Sequence, residues 1–312
     1  MLALKENREL KGTLLILLCG ILWGIIGPFI QAMTMLGANA LLISFLRMFF
    51  SFVILVIYVI KVYGLKAMKM GKRQLLASAL LGIICHGIYN IFYSMAVNEI
   101  GVTIGAVLLN VAPFFTAFMS MLLFHESMTR TKVIALVVNV LGCTLAATGG
   151  EVDLKKISLI GILFGVAAGF CYSMTAILSK IAGNSGNVFI ISTYSYFFAA
   201  LFLAIYGQPW KERLITGPKV LVVGFLYALI PTVIAYLLYY RGVQLIRESS
   251  KVPVIASVEM LVAGILGVAM FHEKLNYFNL FGIALLLLSI VLMNTKKDIK
   301  AGDAENCEWN NK

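Results

Sequence analysis

Leu123-Phe124-His125-Glu126-Ser127-Met128-Thr129 returns near the far end of the chain as Met270-Phe271-His272-Glu273-Lys274-Leu275-Asn276. Each copy closes a long apolar segment with the same Phe-His-Glu step. The two glutamates stand 147 positions apart, and the same offset sets Pro113 against Met260. Upstream, Tyr93 and Val97 fall on Tyr239 and Val243 at an offset of 146. Gly12, Gly20 and Trp23 fall on Gly161, Gly169 and Tyr172 at an offset of 149. Similarity that runs through whole halves points to one structural unit used twice.

The unit is a membrane unit. The chain is 61% hydrophobic and 12% charged, against about a quarter charged in soluble domains. A run of about 20 apolar residues crosses a bilayer, and ten such runs follow one another at 12–34, 39–61, 75–97, 103–124, 131–148, 158–180, 188–207, 219–243, 250–271 and 276–294. Their length selects helices, since a membrane strand needs only about 10 residues. Helices also satisfy their own backbone groups where no water is present. The expected fold class is therefore an all-α polytopic membrane protein of ten transmembrane helices. The polar loop Gly149–Ile157 divides it into five-helix repeats at 12–148 and 158–294, and a polar tail fills 295–312. Five is odd, so the second repeat must be inverted relative to the first.

Lys and Arg set the expected orientation. With the N-terminus inside, the inner segments hold Lys5, Arg8, Lys11, Lys61, Lys66, Lys69, Lys72, Arg73, Arg130, Lys132, Lys180, Arg241, Arg247, Lys251, Lys296, Lys297, Lys300 and Lys312. The outer ones hold only Lys155, Lys156, Lys211, Arg213, Lys219 and Lys274. Both termini are expected in the cytoplasm, with the protein in the plasma membrane. The first apolar run follows basic residues but has no small-residue cleavage site, so it is expected to stay as a span.

The net charge of +11 sits at segment ends rather than on one aromatic-interleaved patch, so no nucleic-acid partner is expected. Cys19, Cys85, Cys143 and Cys171 lie in apolar runs and Cys307 in the tail, with no metal-ligand spacing. No metal and no cofactor are expected. The two His-Glu steps do not extend to HExxH, because Thr129 and Asn276 stand where the second His would be. Neither GxSxG nor a Walker A loop is present, which argues against an enzyme or an ATP-driven pump.

Polar residues deep in apolar runs are costly and mark function. Glu259 lies near the middle of the ninth run, on a face with Ala256, Ala263 and Leu266. It is a candidate proton carrier, or a protonated structural group. His86 is central in the third run, about 16 Å from either end, and shares a face with Tyr89, Asn90 and Tyr93. It could line a cavity, couple protons or bond a backbone carbonyl. Arg47 lies about 12 Å inside the second run and could meet a substrate carboxylate, snorkel or pair with another helix. Asn110 and Pro113 lie in the fourth run, where Pro113 should kink the helix. Pro231 should do the same in the eighth, beside the stripe Thr232, Tyr236 and Tyr239 or Tyr240. Trp23 is central rather than interfacial, as a cavity wall or core aromatic. Glu126 and Glu273 are expected to cap a following helix or pair across a loop.

Trp23-Gly24, Arg47, Pro113 and the Glu that closes the fourth and ninth runs, in two copies of five spans, resemble the EamA family of the drug/metabolite transporter superfamily. The resemblance covers about 12–147 and 158–294. The family's usual Gly before the closing Glu is replaced by His125 and His272. Its Glu-Pro in the ninth span is Glu259-Met260 here, so that span lacks the proline that should kink the fourth.

The expected function is a secondary transporter, in the exporting direction, for a small organic metabolite such as an amino acid or related amphipathic compound. Inverted repeats give two related closures, hence alternating access around a midplane site. A channel or sensor, or an intramembrane enzyme, are the alternatives. The expected partners are the small-molecule substrate, the lipid bilayer and, as an option, a second copy in a homodimer.

Overall fold

The computed structural model describes residues 2–151, 158–183, 187–211, 217–271 and 276–294. Among the described residues ten helices are long and apolar enough to cross a membrane: Arg8–Met35, Ala40–Tyr63, Lys72–Gly101, Ile104–Phe124, Arg130–Thr148, Leu159–Ala182, Val188–Gly207, Pro218–Leu245, Lys251–Met270 and Tyr277–Asn294. They are numbered here as spans 1 to 10. Among the described residues no strand occurs. His272, Glu273 and the tail lie outside the described residues.

Local signals set the ends. Asn39 starts span 2 by accepting the Leu42 N–H at 2.8 Å, and Gly64 ends it at φ 78°. Thr129 starts span 5 by accepting the Lys132 N–H at 3.3 Å. Side-chain acceptors of this kind satisfy helix N–H groups that lack an intrahelical partner.

The packing obeys the exchange of halves. Span 1 packs on span 8, and the C-terminal part of span 3 packs on span 6, which is the same pair with the repeats swapped. Spans 2 and 7 pack on each other, as do spans 5 and 10. Spans 5 and 10 meet backbone to backbone: a Cβ on Gly282 would stand 2.3 Å from the Ala146 nitrogen. Close approach through small residues is how helices associate without a hydrophobic driving force.

The helix irregularities also come in pairs. Span 3 carries a π-helical stretch at Leu81–Ile88, and span 8 one at Leu229–Ile234. Span 4 breaks at Asn110–Val111, between the helices Tyr89–Leu109 and Ala112–Phe124. Span 9 breaks at Ser257, between Lys251–Ala256 and Val258–Phe271. Asn110 and Ser257 are themselves 147 positions apart.

Prolines and helix breaks coincide only in part. The missing proline does not leave span 9 straight. Ser257 breaks it at φ −62°, ψ −6°, with its hydroxyl donating to the Val254 carbonyl at 2.6 Å and accepting from Asn139 Nδ2 at 2.8 Å. Pro113 does not itself sit at the break; it lies in the first turn of the helix that follows, where an absent N–H costs nothing. Pro231 is absorbed in the π-helical stretch of span 8. There the Thr232 hydroxyl donates to the Tyr227 carbonyl five residues back, at 3.0 Å.

Glycines carry the halves onto these breaks. A Cβ on Gly20 of span 1 would stand 2.7 Å from the Ala256 carbonyl oxygen at the break of span 9. Its repeat partner Gly169, on span 6, would meet the Leu108 and Leu109 carbonyls of span 4 at 3.1 and 3.6 Å.

Candidate substrate site

Between the breaks and the π-helical stretches lies a polar cluster in an otherwise apolar bundle. Arg47 is 7% exposed. Its Nη1 donates to the Tyr227 hydroxyl at 3.0 Å, and its Nη2 reaches Asn90 Oδ1 at 3.5 Å. Ser44 donates to the same Asn90 oxygen at 3.1 Å, while Asn90 Nδ2 donates to the His86 carbonyl. The Nε of Arg47 is buried without a partner. Among the described residues no carboxylate lies within ion-pair distance of this guanidinium. Snorkelling is thus not its arrangement, since two neutral groups fix the charge inside the bundle.

His86 is fully buried. Its Nε2 lies 3.2 Å from the Tyr240 hydroxyl, and its Nδ1 is buried without a partner. The ring packs edge-on against Tyr236 at 4.8 Å and against Tyr196 at 5.5 Å. Tyr236 in turn lies 5.1 Å from Trp23, which also faces Tyr239 at 5.2 Å and Tyr172 at 6.1 Å. Tyr89 continues this wall, 5.7 Å from Tyr172. Trp23 is buried and its Nε1 has no partner.

Glu259 occupies the first turn of the half-helix Val258–Phe271, where the helix dipole favours a carboxylate. It is half-buried, and among the described residues no hydrogen bond or ion pair holds it. Tyr89, Tyr93, Tyr172 and Tyr239 lie within its electrostatic range. Tyr89 is also within range of Arg47. The structure therefore groups Trp23, Arg47, His86, Asn90 and Tyr236, while Glu259 lies near enough for its charge to act on Tyr172 and Tyr239 of the same wall. Asn110 stands apart: it donates to the Ala106 carbonyl of its own helix at 2.9 Å.

Sequence reasoning missed Tyr227, Tyr196 and Ser44. Tyr172 was visible as the repeat partner of Trp23. Tyr227 was hidden because a 3.6-residue period places it off the face of Thr232 and Tyr236, whereas the π-helical stretch brings it onto that face.

A second polar assembly lies at the terminal face of the bundle, where span 1 begins and span 10 ends. Glu126 Oε1 accepts the Ser249 N–H at 2.6 Å. Its Oε2 accepts the Ser250 hydroxyl at 2.9 Å, and Lys180 reaches Oε1 at 3.3 Å. Lys132 pairs with Glu248 at 2.8 Å, and Lys251 with Glu9 at 2.9 Å and Glu248 at 3.3 Å. Burial pushes the Glu248 carboxyl up, but the Lys132 hydrogen bond and the charges of Lys132 and Lys251 hold it below the usual carboxylate range. The closing glutamate of the first half thus does not cap the next helix in sequence; it crosses to the start of span 9. His125 before it adopts a left-handed conformation at φ 52°. That geometry favours glycine and accounts for the family's usual Gly here.

Ten apolar helices in two inverted halves, broken around a polar centre, define an integral multi-pass membrane protein built as a transporter. The chain belongs to the EamA-like transporter family, whose pattern matches residues 10–148 and 159–295. An uncharacterized transporter of Archaeoglobus fulgidus is 25% identical over 281 residues, covering 90% of this chain and 95% of that one. The uncharacterized transporter YvbV of Bacillus subtilis is 24% identical over 300 residues, covering 94% of each. A solved crystal structure shares the fold with a TM-score of 0.75 at 14% identity, covering 91% of this chain and 96% of that one.

Proposed function

We propose that this protein is a secondary active transporter that exports a small organic metabolite, an amino acid or related amphipathic compound, by alternating access. The observation that carries the reading is the cluster of unpartnered polar atoms on Trp23, Arg47 and His86, walled by aromatics, where the two inverted halves meet. A packed core would leave few such atoms unsatisfied, whereas a substrate could satisfy them. Discontinuous helices around a midplane site suit this role.

The Lys and Arg distribution supports a cytoplasmic location for both termini in the plasma membrane, so the Glu126 assembly would close the cytoplasmic side. Each half carries the same break and the same π-helical stretch. The opposite closure then needs no new design, only the exchange of roles between the halves. Counterflow in proteoliposomes against a metabolite library tests the proposal. Absence of exchange for every solute, by protein shown to be folded, would overturn it. Flux that does not saturate and is not stimulated by solute on the far side would favour a channel.

A further inference from the structure

The loop that joins spans 2 and 3 closes one side of a cavity of about 550 Å³, lined by Leu65, Met68, Lys69, Met70, Leu75 and Tyr194. Gly64 turns the chain out of span 2 at φ 78°, and Leu65–Met68 forms a short 3-10 helix. The Tyr194 phenol of span 7 donates to the Met68 carbonyl at 2.7 Å, which ties the loop to that span. The cavity thus has one wall on the loop and the others on spans 3 and 7. Its level is that of the membrane surface. Tyr58 and Tyr63, near the end of span 2, lie 5.0 and 6.0 Å from Phe189 at the start of span 7, and aromatic side chains of this kind settle among lipid headgroups.

The charge around the cavity has one sign. Lys61, Lys66, Lys69, Lys72 and Arg73 follow closely in the chain, and no Asp or Glu occurs between Glu9 and Glu99. Among the described residues none of these basic groups forms an ion pair. Elsewhere on the terminal face Lys132, Lys180 and Lys251 each have a carboxylate partner. A topology signal needs basic residues beside the spans, but it does not need a cavity among them with a lysine on its lining.

We propose that this cavity binds an anionic phospholipid, with the phosphate at Lys69 and the glycerol and upper acyl chains against Leu65, Met68, Met70 and Leu75.

Both ends of such a molecule find what they need. The Lys69 ammonium is a compact charge with three donors for phosphate oxygens. Lys66, Lys72 and Arg73 are exposed and add attraction for a net negative headgroup, at about fivefold in affinity for each basic residue. The two methionines can adapt to chains of varied shape. Leu65 and Leu76 are 71% and 60% exposed, so apolar surface continues out of the cavity toward the bilayer. Free phosphate would gain the charge and nothing from the apolar lining. A zwitterionic lipid would gain the lining without the net charge.

The test uses the full-length protein in detergent, stripped of native lipid. It is titrated with dioleoylphosphatidylglycerol, with dioleoylphosphatidylcholine, which has the same chains, and with inorganic phosphate. Native mass spectrometry counts bound lipid, and thermal unfolding follows all three probes. Phosphatidylglycerol should bind about tenfold or more tightly than phosphatidylcholine, and phosphate at equal concentration should leave the melting temperature unchanged.

Lys69→Gln should weaken phosphatidylglycerol about fivefold and leave phosphatidylcholine as it was. Arg130→Gln, which removes an exposed charge of the same face outside the cavity, should change neither. Leu75→Trp keeps every charge and fills the cavity, and should weaken phosphatidylglycerol by about fivefold or more. Equal binding of the two lipids would overturn the proposal, as would phosphate that stabilises as well as phosphatidylglycerol. Equal losses in Lys69→Gln and Arg130→Gln would replace the site with diffuse surface charge. Wild-type binding by folded Leu75→Trp would show that the cavity is not used. None of these readouts depends on transport.

Discussion

The Glu126 carboxylate accepts the Ser249 amide proton at 2.6 Å, joining the end of span 4 in one half to the start of span 9 in the other. Its side chain is only 8% exposed, so loss of its charge is felt. Hydrogen bonds to a charged group contribute about 1.5–3 kcal/mol, and Lys180 and the Ser250 hydroxyl share this carboxylate. Glu126→Gln keeps the shape and removes the charge. The terminal face should open more often, by about 1–2 kcal/mol or about tenfold in population. Maleimide labelling of Ser179→Cys, a residue buried beneath that face, should accelerate accordingly in a background without the native cysteines. An unchanged rate would show that the contact does not hold the face closed.

His125 adopts φ 52° and is exposed. A left-handed conformation costs an L-residue roughly 1–2 kcal/mol, and glycine's greater freedom in the unfolded chain returns part of that. His125→Gly should therefore stabilise the protein by about 0.5–1 kcal/mol. A higher melting temperature in detergent checks this. A fall would mean that the His125 ring makes a contact worth more than the strain.

The number of spans, their inversion and the break in span 4 were legible in the sequence, because each rests on a local or periodic signal: run length, the odd count of helices per half, Pro113. The break in span 9 was not. It is made by Ser257 bonding its own helix and Asn139 of span 5, a tertiary arrangement that no single-segment pattern carries. The site was half legible. Arg47, His86 and Glu259 stand out as polar residues in apolar runs, but Tyr227 joins Arg47 only because a π-helical stretch shifts the register of span 8. The cross-half role of Glu126 was equally hidden, since its partners Ser249 and Ser250 are ordinary residues 123 and 124 positions away.

Gly20 and Gly169 occupy repeat-related places with unequal room. A Cβ at Gly20 would stand 2.5 Å from the Val258 side chain and 2.7 Å from the Ala256 carbonyl, whereas at Gly169 the nearest atom is 3.1 Å away. Overpacking of this kind typically costs 1–3 kcal/mol. Gly20→Ala should displace the start of the Val258–Phe271 half-helix, and Glu259 with it. It should lower both melting temperature and transport, while Gly169→Ala stays near wild type. Equal effects at the two positions would contradict the asymmetry.

Glu248 gives the terminal face an acid-sensitive element. Its carboxyl is held below the usual range in the folded protein despite its burial, through Lys132 and Lys251. A lowered folded value means that the contribution is fully present above the usual carboxylate pKa of about 4.3. It is lost as the pH falls through the folded value. The melting-temperature gap between wild type and Glu248→Gln should be constant near neutrality and shrink on acidification. A gap that persists at low pH would assign the effect to packing rather than charge.

If the proposed transport is coupled to protons, Glu259 and His86 are the two candidate carriers. The titratable groups within electrostatic range of Glu259 are Tyr89 and Tyr93 of span 3, Tyr172 of span 6, Tyr239 of span 8, Cys19 of span 1 and Cys143 of span 5. None of these residue types ordinarily ionises between about pH 5.5 and 7.5, so none of them would supply a change of charge beside Glu259 there. His86 faces a different set, Tyr196, Tyr236 and Tyr240. If Glu259 is the carrier, counterflow of a transported solute should vary several-fold across that window in the wild type and in His86→Gln, and become flat in Glu259→Gln. If Glu259→Gln keeps the full pH dependence, the coupling assignment fails. If His86→Gln alone flattens the profile, the proton path runs along the span 3 and span 8 face instead.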